Sequence, residues 1–196
     1  SILHIKKSIE FCNKLESEKF GFHAGFYIDP IIDLQKHSFK KTKFIDKKRS
    51  NDRFINAYNE IESFNKNYGI KLYIENNINS KSNNEILGEN IFMLTTFKEY
   101  TELIKKKNFN LLLDVGHLKV SCNTLSIDYL NELSKFIEIT DYIHVSDNNG
   151  FEDSNNELTE ESAILKFKNL LKNKIVTLEI YKPFENIIKS IELLDN

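Results

Sequence analysis

Tryptophan is absent from this 196-residue chain, methionine occurs once, cysteine and proline twice each, and glycine only six times. Cys12 and Cys122 lie far apart and make no disulfide framework; lone thiols of this kind suit a reduced, cytoplasmic setting. Few prolines and glycines, no repeat and no low-complexity stretch leave little to separate domains. With 40% apolar residues there is ample material for one core and too little for two, so a single domain over 1–196 is expected. No apolar run approaches the roughly 18 residues of a membrane span, and nothing resembles a signal peptide. A formal charge of -2 and a pI near 6.2 give no global pull toward nucleic acid or an anionic membrane. The expectation is a soluble cytoplasmic protein with neither as partner. The chain opens on Ser1 rather than Met, as a trimmed chain would.

What the sequence does contain is one motif used five times. Leu111 to Ser121 reads LLLDVGHLKVS, an apolar run that stops at Asp114, with His117 three residues on. Gly116 lets the backbone turn sharply there, so that both side chains face the space above the strand. The same pattern recurs in KLYIE ending at Glu75, DYIHVSD with His144 and Asp147, IVTLE ending at Glu179, and FGFHAG with His23. A buried strand that ends in a carboxylate or imidazole is a way to hold a metal or catalytic group at a sheet's carboxyl edge.

Helical signals alternate with these strands. Ser1 to about Lys19 repeats apolar residues at helical spacing, with no strand before it to receive its apolar face. After a turn at Asp29-Pro30, Lys36 to Arg53 holds eight Lys or Arg against Asp46 and Asp52, a basic excess of six that is a solvated surface or a phosphate-recognising rim. Ser50 or Asn51 can cap a helix carrying Phe54, Tyr58, Ile61 and Phe64, closed by Gly69. Residues 75–90 read as a long loop. Thr96 with Glu99 matches a capping box, Ser126 can cap the next helix, Thr159 the one after, and Pro183 stands in the first turn of the last. Strand then helix, five times, with polar βα loops, predicts an α/β fold of the parallel (β/α) barrel type. Alternation puts Tyr73 with Glu75, Leu112 with Asp114, Tyr142 with His144 and Thr177 with Glu179 on its inner face.

The ordered set of GFHAG, IENN, LLLDVGH, IHVSDNNG and LEI resembles the xylose isomerase-like TIM-barrel superfamily, which unites sugar (phosphate) isomerases and epimerases with zinc-dependent apurinic endonucleases. The resemblance implies that Glu75, Asp114, His144 and Glu179 share one divalent metal and that Glu75 and Glu179 also move protons. Three carboxylates and one imidazole suit Mn, Mg or Co at least as well as Zn. It further implies a small carbohydrate substrate, with His23, His117, Asn76 and Asp153 as substrate-binding residues. His117 can instead bond a neighbouring carbonyl, His23 can be a core residue, and Asn76 and Asn77 can simply turn the chain. His4 and His37 read as surface residues. The sequence departs from the family in two places. Strand numbering from Glu179 leaves the first three βα units absent, so the barrel is incomplete, with two open edges through which copies can associate. Asn155 also stands where the family's Asp-x-His step has its histidine. The metal-dependent sugar isomerase or epimerase is therefore the leading expectation, with an abasic-site phosphodiesterase or a non-catalytic relative as alternatives.

Overall fold

The computed structural model describes residues 1–33, 38–40 and 42–195; the Lys36, His37 and Lys41 of the basic segment lie outside them. Helix α1 (Ile2–Lys14) leads into strand β1 (Lys19–His23). A short antiparallel pair, β2 (Ile31–Asp33) and β3 (Ser38–Lys40), follows the turn at Asp29-Pro30. There follow α2 (Lys47–Asn65), β4 (Lys71–Glu75), α3 (Lys81–Leu87), α4 (Phe97–Ile104) and β5 (Asn110–Asp114). The chain continues with α5 (Val115–Leu125), α6 (Tyr129–Ile139) and β6 (Tyr142–Val145). A 3-10 segment, Ala163–Phe167, runs into α7 (Lys168–Leu171), and β7 (Ile175–Leu178) and α8 (Phe184–Asp195) close the chain.

Five strands form one parallel sheet in the order β1-β4-β5-β6-β7, curled into part of a barrel. Among the described residues no strand pairs with the outer edge of β1 or of β7. Strand alternation sorts the side chains as expected. Ile74, Leu111, Leu113, Ile143 and Val145 point outward into the main core against Leu118, Leu133, Phe136 and Ile137 of the helices. On the inner face the Tyr73 and Tyr142 rings meet edge-on at 5.3 Å, and the Tyr142 hydroxyl lies 3.1 Å from Thr177 Oγ1. Toward the carboxyl ends the inward positions hold His23, level with Glu75, and Asp114, level with His144, while Glu75 itself is level with Leu112. Helix α1 is not left without a partner: its fully buried Ile9 packs on Ile61, Ile70 and Leu72.

Helix ends show the limits of local signals. Asp46, not Ser50 or Asn51, caps α2 by accepting the Arg49 N–H at 3.0 Å; both Ser50 and Asn51 are buried. The stretch 75–90 contains α3, capped by Ser80 and ended by Gly88 at φ 85°. Thr96 caps α4 as expected, accepting the Glu99 N–H at 3.2 Å, while the Glu99 carboxylate returns to Thr95 rather than Thr96. Asp128 caps α6, and Ser126 instead ends α5 in a left-handed conformation, φ 56°. Thr159 starts no helix; the 3-10 segment begins after Ser162.

Gly116 lies within α5 rather than at a turn, and close approach explains it. A Cβ there would stand 2.9 Å from Ser146 Oγ, 3.2 Å from Asn148 Nδ2 and 3.3 Å from Asp114 Oδ1. Gly116→Ala should gain about 1 kcal/mol of helix propensity but lose about 1–3 kcal/mol to overpacking against short, held side chains. A lowered urea midpoint for the variant is the expected outcome; a raised one would show that the contacts with Ser146 and Asn148 yield freely.

Candidate metal centre

Asp114 is both the last residue of β5 and the N-cap of α5, its Oδ1 accepting the His117 N–H at 2.7 Å. Asn76 ties the neighbouring strand end to it. The Asp114 N–H donates to Asn76 Oδ1 at 2.7 Å, and Asn76 Nδ2 donates to the Asp114 carbonyl at 3.0 Å. Asn76 is fully buried with both ends of its amide engaged in joining the two strand ends. Asn77 does likewise, donating to the carbonyls of Ala24, Gly25 and Met93.

These local bonds bring four side chains together. Glu75, Asp114, His144 and Glu179 each offer a ligand atom, and those atoms lie within 4.8 Å of one another. His144 Nδ1 is 3.3 Å from Glu75 Oε1 and 3.2 Å from Glu179 Oε1, yet it is buried and makes no hydrogen bond of acceptable geometry to either. A buried nitrogen left unsatisfied beside two carboxylates is costly unless a cation lies between them. The donor set therefore fits a divalent ion. Asp147, which sequence groups with these strand ends, is directed elsewhere, to Lys119 and Ser162.

Electrostatics agree with a site built for a cation. Burial pushes the Asp114 carboxyl up to about 6, against the pull of His117. Burial also opposes ionisation of Glu75, but His144, His23 and His117 outweigh it and hold that carboxyl below the usual range. Burial disfavours the charged form of His144, while Glu75, Glu179 and Asp114 raise its pKa.

His117 lies beside this group without joining it. Its Nδ1 is 3.0 Å from the Asn76 carbonyl, which can only accept, and its Nε2 is 3.2 Å from Asp153 Oδ2. Burial opposes its charge, yet Asp153 and then Asp114 raise its pKa to about 9. In its charged form both nitrogens carry protons, which leaves no lone pair for a metal. The second cluster of ligand types, His23 with Glu75 and His117, is weakened accordingly. His23 is not a core residue: its side chain is 54% exposed, 3.6 Å from Glu75 Oε2, with its ring 5.4 Å from that of His117. Asp153 and His23 therefore reach the same face as the carboxylates. A cavity of about 400 Å³ opens between α1, β1 and α2, but its lining is mainly apolar and it shares only His23 with this face. In the basic segment Lys47 pairs with Glu99 at 3.4 Å and Arg53 with Asp29 at 3.1 Å.

Because the folded pKa of His117 lies above the ordinary 6.5, its charged form stabilises the fold fully below pH 6.5, and this contribution is lost as pH rises toward 9. Urea denaturation of metal-free protein should show stability falling across that window by about 2–3 kcal/mol relative to His117→Gln. Parallel curves for the two proteins would contradict the assignment of charge to His117.

The sequence profile of the family described as xylose isomerase-like TIM barrel matches residues 1–195. A solved D-tagatose 3-epimerase-like protein superimposes with a TM-score of 0.68 and 21% identity, over 99% of this chain and 67% of its own. The 3-keto-D-glucoside 4-epimerase from E. coli does so at 0.62 and 12%, over 99% and 70%. L-ribulose 3-epimerase gives 0.58 and 15%, over 97% and 58%. The chain spans about two thirds of the length of these structures, in keeping with an incomplete barrel. No curated protein matches it. From the profile match over nearly its whole length, the chain belongs to the xylose isomerase-like TIM barrel family.

Proposed function

We propose that this chain is a divalent-metal-dependent sugar isomerase or epimerase that works by proton transfer next to a carbonyl. One observation carries the reading: Glu75, Asp114, His144 and Glu179 converge with His144 Nδ1 unsatisfied between the two glutamates. Glu75, Asp114, His144 and Glu179 would hold the ion, and Mn, Mg, Co or Zn are compatible with three oxygen donors and one nitrogen. When bound, such an ion supplies Lewis-acid polarisation of a carbonyl and its neighbouring hydroxyl.

The chain's own groups supply the rest. Glu75 and Glu179 approach His144 Nδ1 through separate oxygens, one from β4 and one from the end of β7, so they address a substrate from different directions. One carboxylate removes the carbon-bound proton, and the other, protonated, returns a proton to the same or the adjacent carbon. Nothing is oxidised or reduced overall. His117, charged and held by Asn76 and Asp153, places a fixed positive charge beside the face where negative charge develops on the substrate. His23, the most exposed of the set, is positioned to meet substrate hydroxyls. Several solved neighbours are sugar epimerases by name, which agrees with a small carbohydrate substrate.

An abasic-site phosphodiesterase fits less well. Asn155 replaces the expected histidine, its carbonyl accepts the Tyr181 N–H at 3.0 Å, and the net charge is -2. Among the described residues no helix is long and apolar enough to cross a membrane. Two free cysteines accord with a cytoplasmic setting, and the open edges of β1 and β7 with association between copies.

Glu179→Gln removes a charge and a base with little change in volume. It should abolish exchange of the substrate carbon-bound hydrogen with deuterated solvent across a panel of ketoses and aldoses, while the far-ultraviolet circular dichroism stays that of wild type. Exchange at the wild-type rate would remove Glu179 from the reaction.

A further inference from the structure

Residues 148–156 leave the end of β6 and return to it as a closed strap. Its neck is a reciprocal pair of main-chain bonds, Asp147 N–H to the Asn156 carbonyl at 2.9 Å and Asn156 N–H to the Asp147 carbonyl at 2.8 Å. The Asp147 side chain sits at this neck. Its Oδ1 accepts from Lys119 Nζ at 2.5 Å and from the Asn148 N–H at 2.8 Å, and its Oδ2 accepts from Ser162 Oγ. Lys119 also donates to the Asn148 carbonyl. Further along, Asn148 Nδ2 donates to the Gly116 carbonyl at 3.0 Å and Asn123 Nδ2 to the Gly150 carbonyl at 2.8 Å. Helix α5 thereby grips the first half of the strap. The second half carries Asp153 to within 3.2 Å of His117 Nε2.

We infer that Lys119 is a positioning residue: by anchoring the Asp147 side of the strap's neck to α5 it holds Asp153 against His117 at the rim of the metal-competent face. The inference rests on the proposed function only for the meaning of that face. Lys119 suits the task because one ammonium meets a carboxylate and a carbonyl from consecutive residues. It does so in a half-buried setting, with 28% and 19% of the Lys119 and Asp147 side chains exposed, where a charge-assisted bond is stronger than at an open surface. It stands two residues after His117 on α5, so the same helix fixes both the imidazole and the neck of the strap that reaches it. The other two bonds from α5 to the first half of the strap, Asn148 to Gly116 and Asn123 to Gly150, are neutral, and among the described residues only the Lys119 bond joins α5 to the Asp147 carboxylate.

The test is nuclear magnetic resonance on the full chain in three variants: Lys119→Met, Lys119→Arg and the double change Lys119→Met with Asp147→Asn. Amide hydrogen exchange is followed at Asp147, Gly150 and Asn156, and the imidazole Nε2–H signal of His117 is followed beside it. In Lys119→Met and in the double variant, strap amides should exchange at least ten-fold faster and the Nε2–H signal should broaden away, while β4 and β5 amides keep their protection. Lys119→Arg should restore both. The double variant leaves no unpaired carboxylate behind, so it decides the matter if Lys119→Met alone fails to fold. Wild-type protection of the strap and an intact Nε2–H signal in the folded double variant would overturn the inference. No turnover is needed, so this outcome is independent of whether the chain acts on sugars.

Discussion

Three carboxylates pressed into one partly dry space is the constraint around which this structure is arranged. Glu75, Asp114 and Glu179 come from separate strand ends, and Asp114 is only 1% exposed. Like charges this close raise one another's pKa and strain the fold unless positive charge is supplied. The protein supplies part of it from two histidines, His144 between two glutamates and His117 beside Asp114, whereas burial lowers the pKa of His23 beside Glu75. His144 still has a buried nitrogen with no hydrogen bond, within a group of four side chains whose ligand atoms lie within 4.8 Å of one another.

Inward alternation at the carboxyl ends of parallel strands is what makes the crowding. His23 is level with Glu75 and Asp114 with His144, while Glu75 is level with Leu112 and His144 with Thr177, and the last inward-facing groups of the strands still converge. Asn76 then fastens the ends of β4 and β5 to each other, and Asp114 begins α5 at once. The side chains with chemistry to perform therefore sit on strand termini and a helix N-terminus, which are rigid positions. Only Asp153 comes to this face from a longer connection, and that connection is closed at its neck.

Much of this is legible in the sequence, because period-two alternation and the residue that stops an apolar run are local signals. Glu75, Asp114, His144 and Glu179 each lie at the end of such a run, and the structure gathers all four. Polar partners that act at a distance are less visible. Asn76 resembles a substrate ligand because an asparagine after a strand carries no mark of the strand 38 residues away that engages it. Asp147 resembles a site residue for the same reason; its partner Lys119 is 28 residues distant. Helix starts are misplaced where several capping residues stand close together, as with Asp46, Ser50 and Asn51, since burial decides among them and burial is tertiary. Gly116 suggests a turn, although the reason for it is the Ser146 side chain on the neighbouring strand's extension.

The most direct test of the account is to count divalent ions bound to metal-free protein by calorimetric titration with Mn(II), in wild type and in His144→Gln. About one ion per chain, with affinity that rises as pH increases through neutral because protons leave His144, is the result expected, together with its loss in the variant. Absence of binding by wild type, or undiminished binding by His144→Gln, would contradict a metal centre at these four strand ends.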